Sequence, residues 1–260
     1  MKFLIFICGV LAMSMTNLEA KVELSKHEYK IDDKVYEATL ARDSKQKVMK
    51  GAVVVFHNWM GVTAETESKI TELAKLGYVA MAADLYGKGI RPKDQKQAGE
   101  LAFALKENRA QLRQRVNAAL AELSKVPGVD HKKMFATGYC FGGTAALELA
   151  RSGADLLGVV SFHGGLSSPT PLDAKNIKAQ ILVYHGAIDP MVSASEVEAF
   201  KKEMDEAKVN YQFTAFANTV HSFTDKAAGS DLSKGVAYNP LADKRSWQGM
   251  LAFFAELAGN

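Results

Sequence analysis

The chain has 260 residues, 48% of them hydrophobic, which is length and apolar content for one large domain with a sizeable core. Its 32 basic and 29 acidic residues leave a net charge of +3 with the signs interspersed. That pattern reads as a solvated surface and offers no basic block of the kind that binds nucleic acid.

Met1 to Ala20 stands apart: Lys2 opens a short positive region, Phe3 to Met15 is almost wholly apolar, and Leu18-Glu19-Ala20 closes on a small residue. This reads as a cleavable signal peptide, so the expected mature chain is residues 21–260, periplasmic or secreted, as a single domain. The segment is too short for a membrane span, and no later stretch reaches about 20 apolar residues. Cleavage after Ala20 removes Cys8 and leaves Cys140 as a lone thiol, which excludes an intramolecular disulfide.

Val22 to Leu40 alternates loosely and predicts one or two antiparallel edge strands; Arg42 to Lys50 is a charged turn. Ala52 to Phe56 is a continuous β-branched apolar run, hence a buried central strand, followed by the loop His57-Asn58-Trp59-Met60-Gly61. Glu65 to Leu76 has helical spacing and stops at Gly77; Tyr78 to Ala83 is the next buried strand. Asp84 to Asp94 is a loop. Gln95 to Ser124 carries helical periodicity with an expected break near Asn108, and Val126 to Asp130 is a turn. Gly158–Phe162 and Gln180–His185 are further buried strands, Ala194–Ala207 a helix, and Tyr211–Phe216 a strand. His221 to Tyr238 reads as a long loop, and Asp243–Leu257 as a closing amphipathic helix. Strands alternating with helices predict an α/β fold with a mostly parallel sheet covered on both faces. Ligands then bind beyond the carboxyl ends of the strands, where Asn58, Cys140, His163 and Asp189 all fall.

Met134 to Gly153 organises the rest. An apolar strand runs into Gly138-Tyr139-Cys140-Phe141-Gly142-Gly143, and a helical segment follows at once. This is the context of a nucleophile elbow, in which Cys140 projects its sulfur from the top of the sheet at a helix N-terminus, where the dipole favours thiolate. The alternative is a glycine-rich turn around a buried, inert cysteine. A nucleophile needs a base, and the base an orienter. Of the six histidines, only His221 follows both Cys140 and Asp189, which is the order nucleophile, acid, histidine of α/β-hydrolases. His163 and His185 also read as hydrogen-bonded core or rim residues.

With these residues in place, the chain resembles the dienelactone hydrolase family of α/β-hydrolases. The matching pieces are Gly138 to Gly143, His57-x-x-x-Gly61, Asp84-Leu85-Tyr86-Gly87, His185-Gly186-x-x-Asp189-Pro190, His221-Ser222-Phe223, Ala237-Tyr238-Asn239 and Ala242-x-x-Arg245-Ser246-Trp247. The resemblance spans residues 27–257 and implies a Cys140–His221–Asp189 triad acting on esters or lactones. It implies no cofactor and no metal, and a monomer or small homo-oligomer. The oxyanion donors it implies are the backbone N–H groups of Phe141 and Trp59. Asn58, Tyr86, Lys88, His163 and Asp225 are the candidate substrate contacts. Three positions depart from the family. Asn58 stands where members often carry Glu, and Lys88 and Asp225 stand near or at the places of two arginines that hold a substrate carboxylate. An aspartate repels a carboxylate, which argues against dienelactone itself as the substrate. Other readings of the same residues are a thioesterase or peptidase on this fold, or a small-molecule-binding homologue without turnover.

Overall fold

The structure is a computed structural model that describes residues 20–259. The signal-peptide reading of Met1 to Ala20, with Cys8, therefore lies almost wholly outside the described residues. Strands β1 (Val22–Ile31) and β2 (Lys34–Asp43) form an antiparallel hairpin. After them come β3 (Gly51–Phe56), helix α1 (Ala64–Lys75), β4 (Tyr78–Ala83), α2 (Gln95–Glu107), α3 (Arg109–Ser124), β5 (Met134–Tyr139) and α4 (Phe141–Arg151). The chain closes with β6 (Gly158–Phe162), β7 (Gln180–Gly186), α5 (Ala194–Glu206), β8 (Tyr211–Phe216) and α6 (Pro240–Ala258).

Among the described residues, the eight strands make one sheet in the order β1-β2-β4-β3-β5-β6-β7-β8. The hairpin joins β4 antiparallel, and every pair from β4 to β8 is parallel. The period of the sequence explains the layering. β3, β4, β5 and β6 are buried at every residue, as uninterrupted apolar runs must be when helices cover both faces. One face packs Leu105, Leu112, Val116, Leu147 and Phe200 against the sheet, from α2 to α5. The other packs Ile70, Leu73, Met250 and Phe254, from α1 and α6. The outer strand β1 is largely exposed and carries Lys26, Glu28 and Lys30, charges that discourage edge-to-edge pairing.

The expected break at Asn108 is where α2 ends. Asn108 caps α3, its side chain accepting the Gln111 N–H at 3.0 Å. The loop after His221 contains two short 3-10 turns, Lys226–Ala228 and Leu232–Lys234. Helix α4 is buried along its whole length, charges included. Arg151 answers Glu203 at 2.7 Å and Glu148 at 3.1 Å, and Arg113 answers Glu148 at 2.8 Å, so the helix behind Cys140 is anchored by paired rather than bare charge. Among the described residues, no helix is long and apolar enough to cross a membrane.

Candidate active site

Cys140 sits between the last residue of β5 and the first of α4, with φ +56° and ψ −117°. A non-glycine residue in that region is strained and persists only where its surroundings over-determine it. Here they do. A Cβ at Gly138 would fall on the backbone of Gly142, and one at Gly142 would fall on the Phe56 carbonyl, so the two glycines are what lets helix and strands close around the turn. The Cys140 N–H is shared between the Phe162 carbonyl at 3.0 Å and His163 Nδ1 at 3.2 Å. As the first residue of α4, Phe141 contributes an N–H that has no intrahelical acceptor.

His221 Nε2 stands 3.1 Å from Cys140 Sγ, and its Nδ1 stands 2.8 Å from Asp189 Oδ2. The histidine's loop is pinned by the 235–237 segment, with His221 N–H donating to Gly235 O at 3.2 Å and Ala237 N–H donating to His221 O at 3.1 Å. Asp189 is buried, and its other oxygen accepts the Met191 N–H at 2.8 Å. An ordinary histidine titrates near about 6.5. Burial pulls His221 down, but hydrogen bonds to Asp189 and Cys140, with the negative charge behind them, override it and push the group up to about 10.

The loop after β3 is built by its own side chains. His57 Nε2 accepts the Leu85 N–H at 3.1 Å, so the proton lies on Nδ1 and is donated to Asn58 O. Burial holds His57 down at about 4 and hence neutral. Asp84, from the neighbouring loop, accepts Tyr86 N–H at 3.0 Å and Gly87 N–H at 3.1 Å. Tyr86 then donates its hydroxyl to Trp59 O at 2.8 Å and stacks on Phe141 at 6.0 Å. This orients the peptide next to Trp59.

A cavity of about 240 Å³ opens over the sulfur. Cys140, His221, Trp59 and Phe141 all line it, together with Phe103 and Lys106 of α2 and Met191 and Val192 of the loop after β7. The lining is chiefly apolar and includes the Lys106 ammonium.

The dienelactone hydrolase family model matches residues 36–258. The chain belongs to the dienelactone hydrolase family. A dienelactone hydrolase-like promiscuous phosphotriesterase from metagenomic libraries has 37% sequence identity and a TM-score of 0.86, covering 91% of this chain and 98% of that one. The structure named m3DLH has 39% identity and a TM-score of 0.87 over the same shares, 91% and 98%. A protein of Aquifex aeolicus named "Putative carboxymethylenebutenolidase" is 30% identical over 208 residues, 78% of this chain and 87% of the relative. With that membership the chain is a hydrolase acting on ester or lactone bonds, and its mixed, mostly parallel sheet is the family's fold.

Within this dienelactone hydrolase fold, the candidate substrate contacts are redistributed. Lys88 is exposed and paired with Glu28 at 2.6 Å, at the hairpin and not at the cavity. Asp225 lines a neighbouring groove with Glu65, Lys69 and Trp247, and its carboxylate accepts the Ala227 N–H at 2.8 Å. Asn58 is a turn former, its Oδ1 accepting Met60 N–H at 2.9 Å and its Nδ2 donating to Glu65 at 3.1 Å. Tyr86 and His163 are buried behind the cavity wall. All five side chains are either committed to protein partners or face elsewhere, and none lines the cavity. Among the cavity residues not singled out from the sequence, which include Met191 and Val192, Phe103 and Lys106 stand off the buried Ala98–Ala102–Leu105 stripe of α2. A phenylalanine among the polar positions of that face was the signal in the sequence, and in the structure it is 63% exposed.

Proposed function

We propose that Cys140, His221 and Asp189 act as a catalytic triad that hydrolyses a carboxylic ester or lactone through a thioester acyl-enzyme. The observation that carries this reading is the position of His221, with one ring nitrogen on the Cys140 sulfur at 3.1 Å and the other on Asp189 at 2.8 Å. A histidine with one ring nitrogen on the sulfur and the other on a carboxylate can take the thiol proton, which gives the attacking sulfur and the imidazolium that later serves the leaving group.

Sγ adds to the carbonyl carbon and the carbonyl π-pair becomes an oxyanion. The N–H groups of Phe141 and Trp59 are the proposed donors to it, each contributing about 3 kcal/mol. Collapse breaks the C–O bond, and the proton on His221 Nε2 goes to the leaving alkoxide. The imidazole, now neutral, takes a proton from water as the oxygen attacks the thioester. Sγ leaves as thiolate, and the acid departs. Asp189 holds Nδ1–H and so keeps Nε2 aimed at the sulfur throughout.

The cavity supports a small substrate, since about 240 Å³ corresponds to roughly eight water-sized volumes. Its apolar lining favours an acyl group with hydrocarbon character. The test is a panel of p-nitrophenyl esters and small lactones assayed with the native protein and Cys140→Ala, with acid-quenched mass spectrometry for a mass increment on Cys140. Hydrolysis at the native rate by Cys140→Ala, or turnover with an acyl group trapped elsewhere, overturns the reading.

A further inference from the structure

The mechanism above makes no use of His163. His163, at the carboxyl end of β6, is 2% exposed and has a φ of +39°, so it too sits in a strained backbone region. Its Nδ1 accepts the Cys140 N–H at 3.2 Å. An acceptor nitrogen carries no proton, so the ring proton is on Nε2 and is donated to Thr224 Oγ1 at 2.8 Å. Thr224 belongs to the loop that carries His221. The ring is enclosed by Phe223, edge-on at 4.9 Å, by His221, edge-on at 5.1 Å, and by Tyr139 at 6.2 Å.

We propose that His163 is a positioning residue, a neutral tether that ties the backbone of Cys140 to the loop carrying His221 through Cys140 N–H···Nδ1 and Nε2–H···Oγ1 of Thr224. The proposal rests on the reading of Cys140 as nucleophile and His221 as base. Those two residues come from different segments, and their pairing is only as good as the registration of the elbow against the loop. The elbow is strained, and its N–H is held by the Phe162 carbonyl at 3.0 Å together with His163 Nδ1 at 3.2 Å. The loop has little regular structure and needs an anchor close to its base. His163 serves both segments from one rigid ring. It must stay neutral to do so, because protonation of Nδ1 would replace an acceptor with a donor facing the Cys140 N–H. The surroundings keep it neutral: burial first, then the positive charge of His221 and of Lys69, with His185 adding to them, hold it well below the ordinary histidine range.

The experiment uses the full chain with Thr224→Val, Thr224→Ser and His163→Phe, the last keeping a ring without nitrogens. Thr224→Val should lower kcat by about tenfold and His163→Phe by about 100-fold, the scale of ångström misplacement, with KM within about twofold. Thr224→Ser, which restores the hydroxyl, should recover most of the rate. The alkaline limb of the pH–rate profile, set by His221 between Asp189 and Cys140, should move in Thr224→Val, which a merely structural role would not do. Independently of activity, nitrogen-15 NMR should find His163 as the Nε2–H tautomer from about pH 5 to about 9, a span that brackets the ordinary histidine pKa. Its resonance should shift in Thr224→Val. A His163 ring that titrates near about 6.5, or a Thr224→Val protein with native kcat and pH profile, overturns the tether. If His163→Phe does not fold, Thr224→Val, which removes one hydroxyl, decides alone. Should Cys140→Ala retain activity, the nucleophile reading fails, and the NMR arm still reports on the tether.

Discussion

His221 Nε2 and Cys140 Sγ lie 3.1 Å apart across a separation of 81 residues. The contact joins the elbow after β5 to the loop after β8, with β6 and β7 between them in the sheet. Asp189, after β7, completes the line, so the loops after β5, β7 and β8 meet over the carboxyl ends of parallel strands.

The first expectation concerns that line. Cys140 should react with iodoacetamide at pH 6, where an unperturbed cysteine is under about 1% thiolate. His221→Ala should slow both alkylation and turnover. Cys140→Ala should lose at least about 10³-fold in kcat, and Asp189→Asn roughly 10²–10⁴-fold through the wrong tautomer. Slow labelling until the protein unfolds, with activity untouched, would mean a structural cysteine.

The pH profile follows from His221. An ordinary histidine titrates at about 6.5, but the structure raises His221 to about 10. In the proposed mechanism the imidazolium protonates the leaving group, so activity should fall as pH rises through about 10. The same raised value contributes stability that is fully present below the ordinary value of 6.5 and lost as pH rises through about 10. A rate that climbs through about 6.5 and stays flat beyond pH 10 would contradict the assignment.

Specificity should follow the cavity rather than Lys88 or Asp225, neither of which reaches it. With p-nitrophenyl esters of increasing acyl length, kcat/KM should rise by up to about fourfold per methylene until the cavity is filled, the value of about 0.8 kcal/mol per buried CH₂. Phe103→Ser should flatten that series. Lys106→Met should cost carboxylate-bearing esters about tenfold, the scale of one charge-assisted contact, and leave neutral esters near the native rate. Equal losses for both classes would remove Lys106 from recognition.

Glu65 is a stability site. Burial, then the nearby Asp225 and Asp243, push its carboxyl up to about 7. A carboxyl raised in the folded state favours folding most below its ordinary value, and that advantage disappears as pH rises through about 7. Glu65→Gln keeps an oxygen for the Asn58 amide and removes the charge. It should raise Tm at pH 8 by about 2–4 °C and have little effect at pH 5, on the scale of about 1 kcal/mol for a chain of this size. Thermal scans at the two pH values check it, and an unchanged Tm at pH 8 would refute it.

We propose that the chain is exported and cleaved near Lys21. β1 begins at Val22, and the Lys21 backbone N lies 2.9 Å from Asp43 Oδ1. Cleavage after Ala20 would leave the strand whole and turn that nitrogen into an ammonium facing a carboxylate. Mass spectrometry of the protein from its native compartment checks this, and a cytoplasmic protein that retains Met1 would overturn it.

Contiguous residues determined the layered α/β fold, the elbow at Cys140 and the chain order Cys140, Asp189, His221, because periodicity, glycine placement and strand-turn-helix succession are local properties of a backbone. Asn108 as the helix break was legible for the same reason. Which side chains face the cavity was not. Lys88 turned to Glu28, Asn58 to its own turn and to Glu65, and His163 to the back of the elbow, while Phe103 and Lys106 arrived from a helix that reads as ordinary surface. The charge of His221 was equally out of reach of the sequence. Its titration is a balance between burial and two partners, Asp189 and Cys140, supplied by other segments, and such sums over spatial neighbours exist only once the chain has folded.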